Sequence, residues 1–430
     1  MAIIIMFILM VIFVISSMPV SMAMLLSSSV YILINANNAN FDYLMIAKTV
    51  SIALDSFPMM AIPFYILAAE IMNYTKITDR LLNFCLAIVG HFKGGLAHVN
   101  ILASMIFSGL SGSASADAAG LGVVELKMMQ KEGYDPAFSA AVTAVSSTIG
   151  PIIPPSILMV VYGLLARVSV GRLFAAGLIP GLVLGLLFMV IVYVMASKGL
   201  VKGKVQPRTK FKDILKITIC SLPFLLAPAF LLGGIFWGKF TPTEGGAIAS
   251  LYMIVLGFIY GDLKWNKVLD IFRKAVLSSA SIGFLISSAS IFGMIVIRAR
   301  VGFLAYQYIE DFGLPNWAII LLIVLFLFIA GLFIEGVSIV MITVPVIVPI
   351  LPQIGLSPVT FGVLLVLLVM VGFLTPPVGV GTYIVTSLAQ ASLDRVLKFM
   401  APFFIAFFIS VLLIIYVPQI TLYLPSLFFH

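Results

Sequence analysis

The segment "STIGPIIPPSILM", residues 147–159, sets Gly150, Pro151, Pro154 and Pro155 inside an apolar run. Proline lacks an amide donor and clashes with the preceding turn, so a helix entering this segment must break. A second segment, "VGFLTPPVGVGTYI" at 371–384, breaks in the same way. A separation of 222 residues relates Pro154 and Pro155 to Pro376 and Pro377, and Gly150 to Gly372. It also relates "GYDP" (133–136) to "GLSP" (355–358), and Gly109 to Gly331. Four landmarks at one offset predict two repeats, 1–200 and 215–430, joined by a basic linker at 197–216.

Of the 430 residues, 62% are hydrophobic and 9% are charged, where soluble domains carry about 25% charged residues. Apolar runs of about 20 residues recur from end to end, which predicts an all-α polytopic membrane protein. The ~10-residue alternation of a membrane barrel is not seen. "MAIIIMFILMVIFVISSMPVSMA" (1–23) has no basic n-region, so it is expected to be a retained first span rather than a signal peptide. Cys85 and Cys220 are far apart and form no CxxC, which argues against a disulfide scaffold or a metal cluster. The net charge of +8 is expected to mark topology and not a nucleic-acid partner. The linker, "SKGLVKGKVQPRTKFKDILK", is too short to fold alone, and the chain has no Walker A sequence.

Basic residues set the orientation of the repeats. The linker holds Lys198, Lys202, Lys204, Arg208, Lys210, Lys212 and Lys216, which predicts a cytoplasmic placement. One span (172–196) precedes it and two (217–237, 243–262) follow, so "GDLKWNKVLDIFRK" (261–274) is cytoplasmic too. Its repeat mate, 39–52, holds only Lys48, and "KMMQKEGYD" (127–135) has two lysines where "PILPQIGLS" (349–357) has none. Corresponding loops thus differ in charge, as inverted topology requires. With Lys76, Arg80, Lys93, Lys127, Lys131, Lys264, Lys267, Arg273, Lys274, Arg395 and Lys398 also inside, 18 of 24 basic residues are cytoplasmic. Lys48, Arg167, Arg172, Lys239, Arg298 and Arg300 fall outside, and both termini are expected on the outer face.

An unpaired amide in hydrocarbon costs several kcal/mol, so broken backbone persists only in protein or beside a wet cavity. Inverted repeats with discontinuous helices mark secondary transporters, where unwound carbonyls coordinate cations and half-helix N-termini hold anions. Each break follows another irregular element. "FSGLSGSASADAAGLG" (107–122) predicts a re-entrant hairpin over 95–131 with its tip near Ser111–Ser115, ahead of a broken helix at 136–165. "AGLFIEGVSIVMITVPVIVP" (330–349) predicts the mate, 315–353, with its tip near Glu335–Ser338, ahead of a broken helix at 357–385. The two halves would face each other at a midplane site. Small-residue stretches usually serve helix packing, but packing alone gives no reason for recurrence beside a break at the same offset.

Acids within spans default to function. Asp117 and Glu335 sit in the hairpins. Glu70 lies near a helix end, where an interfacial role is the alternative, and Glu244 after "FTPT" suits a first-turn acid. His91, His98 and His430 are scattered, so no metal site beyond an alkali cation is expected. Arg298 and Arg300 end a span and are expected to snorkel. Neither hairpin core nor break holds Lys or Arg near its centre. An anion there would rely on helix dipoles, hydroxyls and bound cations, which favours cation coupling.

"SFPMMAIPFYILAAEIM" (56–72), "FSGLSGSASADAAGLG" (107–122), "GYDPAFSAAVTAVSSTIGPIIPPSI" (133–157), "FTPTEGGAIA" (240–249) and "GFLTPPVGVGTYI" (372–384) resemble the large membrane subunit of tripartite ATP-independent periplasmic (TRAP) transporters. The resemblance covers nearly the whole chain. It implies Na⁺-coupled import of an organic acid across the bacterial inner membrane, with sialic acid the leading substrate and C4-dicarboxylates the alternative. It implies two partners besides the lipid bilayer: a periplasmic substrate-binding protein and a separate small four-helix membrane subunit. It implies a fold like elevator-type ion transporters, with scaffold arms near 39–55 and 262–275 and a moving unit of hairpins and broken helices. By position, one Na⁺ would lie among Ser108, Ser111, Ser113, Thr148, Gly150 and Pro151, and a second among Gly331, Glu335, Gly336, Gly372 and Thr375. Ser115, Asp117, Ser156, Ser338 and Thr382 would face the substrate. Ser113 matches Glu335 and Ile153 matches Thr375, so the two ion sites should differ in affinity.

Other classes fit less well. A channel filter needs a ring of charges or several subunits, and neither is visible in this chain. An enzyme needs a His/Glu metal set or a GxSxG with a base, and "GLSGSA" has no base nearby. A sodium-coupled anion transporter working without a binding protein remains a third reading.

Overall fold

A computed structural model describes residues 2–35, 43–75, 77–201, 203–311, 313–377 and 379–429. Residues 39–42, Lys76, Lys202 and His430 lie outside the described residues. The first repeat comprises α1 (Ala2–Ile15), α2 (Val20–Ile34), α3 (Tyr43–Leu54), α4 (Ala61–Tyr74), α5 (Ile77–Val89), α6 (Gly95–Ser111), α7 (Ala114–Ala119), α8 (Leu121–Lys131), α9 (Pro136–Ser147), α10 (Ile157–Ala166) and α11 (Val170–Ser197). The second comprises α12 (Phe211–Phe236), α13 (Pro242–Ile259), α14 (Trp265–Arg298), α15 (Val301–Asp311), α16 (Asn316–Gly331), α17 (Gly336–Ile347), α18 (Pro358–Leu374), α19 (Val380–Ala389), α20 (Leu393–Met400), α21 (Phe403–Tyr416) and α22 (Gln419–Phe428). Among the described residues, four helices are long and apolar enough to cross a membrane, or six if each bent pair is one span. The fold is an all-α, multi-pass membrane architecture of two inverted repeats, each with a re-entrant hairpin and a broken helix.

Helix starts coincide at the 222-residue offset. Val20 and Pro242, Tyr43 and Trp265, and Pro136 and Pro358 open corresponding helices. The capping chemistry repeats as well. Asp135 Oδ1 accepts from Ala137 N at 2.8 Å to open α9, and Ser357 Oγ accepts from Val359 N at 3.3 Å to open α18. Proline at the first helical position then has no amide to lose.

The hairpins are too short to span. Helices α6 and α16 have 17 and 16 residues, about 25 Å each at 1.5 Å per residue, against a hydrocarbon core of about 30 Å. The first turns back at Gly112 and Ser113, with Gly112 in the left-handed region at φ 59°. The second turns at residues 332–335, so its tip lies slightly ahead of the expected Glu335–Ser338, and Ser338 is already in the first turn of α17. The breaks differ in length. The first runs from Thr148 to Ser156 and the second from Thr375 to Gly379.

Three expectations need correction. The single first span over 1–23 is instead two packed helices, α1 and α2, separated where Ser17 is left-handed (φ 64°) ahead of Pro19. The linker is shorter than drawn, because α12 begins at Phe211 and takes its last six residues. The arm over 262–275 is no separate element; from Trp265 it forms the first turns of the 34-residue α14. Its mate α3 is separate, bent by 50° from the helical run that includes α4. Pro58 lies in the short 3-10 turn after that bend, and Ala280 occupies the corresponding point of α14. A proline opens the helix in one repeat and alanine continues it in the other.

Candidate functional site

Each hairpin tip meets a broken helix. The amide of Ile157 donates to the Gly112 carbonyl at 3.4 Å. A Cβ on Gly112 would stand 2.5 Å from the Pro155 carbonyl oxygen, so only glycine permits this approach. In the second repeat a Cβ on Gly331 would stand 3.1 Å from the Gly372 Cα. The second tip also reaches the first repeat, because Gly336 packs near Val369 and Leu158. Helix α10 lies against α17, and α9 against α19, so the halves interleave.

A polar clamp fixes the first hairpin arm to its break. Asn100 Nδ2 donates to Thr143 Oγ1 at 2.7 Å, and Ser146 Oγ donates to Asn100 Oδ1 at 2.6 Å. All three residues are buried, where satisfied bonds hold α6 and α9 in register.

The tips, breaks and two scaffold helices enclose a cavity of about 650 Å³, within the roughly 300–1,000 Å³ of small-molecule sites. Of the sequence-predicted residues, Ser111, Ser113, Ser115, Pro151, Glu335 and Gly336 line it. The Ser113 and Ser115 hydroxyls are 3.2 Å apart. The first residues of four helices also line it: Ala114 of the short α7, Ile157 of α10, Gly336 of α17 and Val380 of α19. Helix N-termini present free amides and partial positive charge. The lining contains no Lys, Arg or His, and its two carboxylates are Glu70 and Glu335.

The other candidates lie elsewhere. Ser108 donates to the Ser104 carbonyl at 2.5 Å, and Thr148 to the Val145 carbonyl at 2.5 Å. Thr375 donates to the Val371 carbonyl at 2.7 Å. Thr382 reaches back across the second break to the Leu374 carbonyl at 2.6 Å. Ser156 caps α10 by accepting from Met159 N at 3.2 Å. Gly150, Gly331 and Gly372 make close backbone contacts and do not line the cavity. Asp117 and Ser338 are buried and are not among the lining residues. Asp117, Ser156, Ser338 and Thr382, expected to face the substrate, are not among the residues lining this cavity.

The sequence reading singled out Glu70 among the acids and missed the rest of the scaffold wall. Ile66, Ala69 and Glu70 of α4 and Ser278, Ser281, Ile282 and Leu285 of α14 complete the cavity. The signal was a small polar stripe at helical spacing, Ser278 and Ser281, within an apolar span. Glu244 is where its sequence suggested. It forms a capping box with Thr241 at the start of α13, its Oε2 accepting from Thr241 N at 2.7 Å.

Comparison with known proteins agrees with this geometry. Residues 6–420 match the family described as "Tripartite ATP-independent periplasmic transporter, DctM component". The chain is 37% identical over 417 residues to the sialic acid TRAP transporter large permease protein of Vibrio cholerae, covering 96% of each. It is 37% identical over 378 residues to the sialic acid TRAP transporter permease protein of Haemophilus influenzae, covering 87% of this chain and 61% of that longer protein. It is 32% identical over 373 residues to the C4-dicarboxylate TRAP transporter large permease protein of Pseudomonas aeruginosa, covering 86% and 87%. In structure it is similar to the YdaH transporter of Alcanivorax borkumensis, with a TM-score of 0.61 at 16% identity over 87% of this chain and 88% of that one, a likeness of fold alone. Two hairpins meeting two proline-broken helices around one cavity, with a family match over nearly the full length, place this chain in the family of TRAP transporter large permeases.

Proposed function

We propose that the chain imports an organic acid anion, sialic acid first among candidates, by Na⁺-coupled secondary transport across the bacterial inner membrane. The carrying observation is the central cavity. Four helices have their first residue in its lining, and no basic side chain lines it. An anion bound there lacks a full counter-charge, and bound Na⁺ supplies one. Ser111, Ser113 and Pro151 on one side, and Glu335 and Gly336 on the other, are the ion-binding candidates that reach the cavity. Behind them, Gly331 of α16 rests on Gly372 of α18, and Gly150 of the first break lies near the Ser113 backbone. Ser115, with the scaffold hydroxyls Ser278 and Ser281, is placed to meet the substrate's polar groups.

Alternating access would be elevator-like, with the hairpins and broken helices moving against a scaffold of α1–α4 and α12–α14. A periplasmic binding protein would deliver substrate, and a separate small membrane subunit would complete the complex. Both termini would be periplasmic. The relatives named for sialic acid at 37% identity support that substrate. The relative named for C4-dicarboxylates at 32% supports the second reading.

The test is uptake of labelled sialic acid into liposomes containing this chain and its small subunit. Cognate binding protein and an inward Na⁺ gradient are each supplied or withheld. Uptake requiring both is expected. Uptake with Na⁺ alone would remove the binding protein from the mechanism. Uptake of succinate in place of sialic acid would overturn the substrate and keep the coupling.

A further inference from the structure

A second cavity, of about 440 Å³, lies between the C-terminal turn of α4 and the first turns of α14. Lys267, Arg273 and Lys274 line it together with Asp270 and Glu70. Glu70 also lines the central cavity. The α14 residues in the two linings follow one stripe: Lys267, Asp270 and Lys274 at the end, then Ser278, Ser281 and Leu285 toward the centre. Steps of three and four residues keep these side chains on one helix face. From Lys267 to Leu285 that face runs about 27 Å at 1.5 Å per residue. The two cavities lie end to end along one groove line where α14 faces α4, with Glu70 in both linings.

The groove has a charge gradient. Its central end has no cation and its outer end has three, against two acids. Lys267 is partly engaged by Asp270 at 3.7 Å, an exposed i,i+3 pair. Such an exposed pair is weak and leaves the lysine free to turn. An anion leaving the serine-lined centre meets its first fixed positive charge at Lys274. A surplus of one positive charge attracts an anion without trapping it, which a passage site requires.

We propose that this groove is the release path for the transported anion, and that Lys267, Arg273 and Lys274 form a transient carboxylate-binding station at its cytoplasmic mouth. The proposal rests on the reading of the chain as an organic-anion transporter with this end inside. The same cations suit the phosphate of an anionic lipid headgroup, so the test separates the two sources.

The chain and its small subunit are placed in neutral phosphatidylcholine liposomes, with or without added phosphatidylglycerol. Wild type is compared with the K267Q/R273Q/K274Q triple variant and with the charge-conserving K267R/R273K/K274R variant. Labelled sialic acid and labelled succinate are the probes. Charge removal at a passage mouth acts on rate. The triple glutamine variant is expected to import roughly three- to tenfold more slowly in both lipids. The half-saturating concentration of loaded binding protein outside should be unchanged, and the charge-conserving variant should keep the wild-type rate. Equal rates for wild type and the glutamine variant would overturn the station. A deficit seen only with phosphatidylglycerol would overturn it in favour of a bound lipid headgroup. Failure of wild type to carry either probe would instead overturn the underlying reading of anion transport.

Discussion

Gly331 and Gly372 meet backbone to backbone, so close that a Cβ on Gly372 would stand 2.5 Å from the Gly331 carbonyl carbon. The last residue of a hairpin arm thereby rests on the helix about to break. Neither residue has a left-handed φ, so glycine is needed here for the approach of two chains and not for a turn. Gly372→Ala should force the hairpin off the helix, at a cost of about 1–3 kcal/mol for overpacking. We expect Na⁺-dependent uptake to fall at least tenfold. Gly331→Ala, whose Cβ would sit 3.1 Å from its nearest neighbour, should be milder. The reverse order of severity in uptake and thermal melting would contradict this contact.

Glu335 opens α17 at the cavity wall, where the matching position in the first repeat is Ser113. A carboxylate gives a cation more than a hydroxyl can. Glu335→Gln is expected to raise the half-saturating Na⁺ concentration roughly tenfold, a change of about 1.4 kcal/mol. Ser113→Ala should raise it less. Unchanged Na⁺ dependence in Glu335→Gln would remove the residue from the proposed ion site.

Tyr162 ties the two broken helices together. Its hydroxyl donates to the Pro358 carbonyl at 2.6 Å, linking α10 to the start of α18. Tyr162→Phe removes this bond while keeping the ring, which packs against Phe361 at 6.2 Å between centroids. A loss of about 1 kcal/mol is expected, visible as a lower melting temperature in detergent. Tyr65 makes the equivalent link in the scaffold, donating to the Pro242 carbonyl at 2.7 Å, and Tyr65→Phe should cost a similar amount.

Topology is open to direct measurement. Cys85 is buried and Cys220 exposed. In a Cys220→Ser background, a membrane-impermeant thiol reagent should label Arg208→Cys only in inside-out vesicles. Lys239→Cys should be labelled only in right-side-out vesicles. Labelling of both from one side would overturn the assigned orientation.

Asp135 performs two tasks. Its Oδ1 caps α9, and its Oδ2 accepts from Arg395 at the start of α20, at 2.5 Å. Replacing Asp135 by alanine should cost about 1 kcal/mol through the lost cap. Replacing Arg395 by glutamine should cost less, about 0–1 kcal/mol, because the pair is partly exposed. Chemical denaturation of the two variants in detergent ranks them.

Features carried by single positions were legible without coordinates. A pair of prolines withholds amides wherever it stands, so the breaks at Pro154–Pro155 and Pro376–Pro377 could be placed at once. The small residues around Gly112 marked the first tip for the same local reason. Which hydroxyls face the cavity was less legible. Helix α18 is buried on nearly every side, so it has no amphipathic stripe from which a facing side could be read. Thr148 and Thr375 had the right chemistry and position, and their hydroxyls bond to carbonyls of the preceding turn. The wall supplied by α4 and α14 carries a local hint in Ser278 and Ser281, but which helix faces the hairpins depends on contacts with residues far away in the chain.

Two prolines at the same repeat position draw the line most clearly. Pro180 and Pro402 are 222 residues apart, and each removes one helix hydrogen bond. Pro180 sits inside the continuous 28-residue α11, whereas Pro402 marks a 45° bend between α20 and α21. Beside Pro180, Gly177 and Gly181 let α11 lie directly on Ile152 and Ile153 of the first break. From sequence alone came the repeats, the broken helices and the membrane setting, because missing amides and apolar runs act wherever they occur. Tertiary structure alone decided which proline bends its helix and which side chains share the cavity, because one lost hydrogen bond is outweighed or not by the neighbours that pack against it.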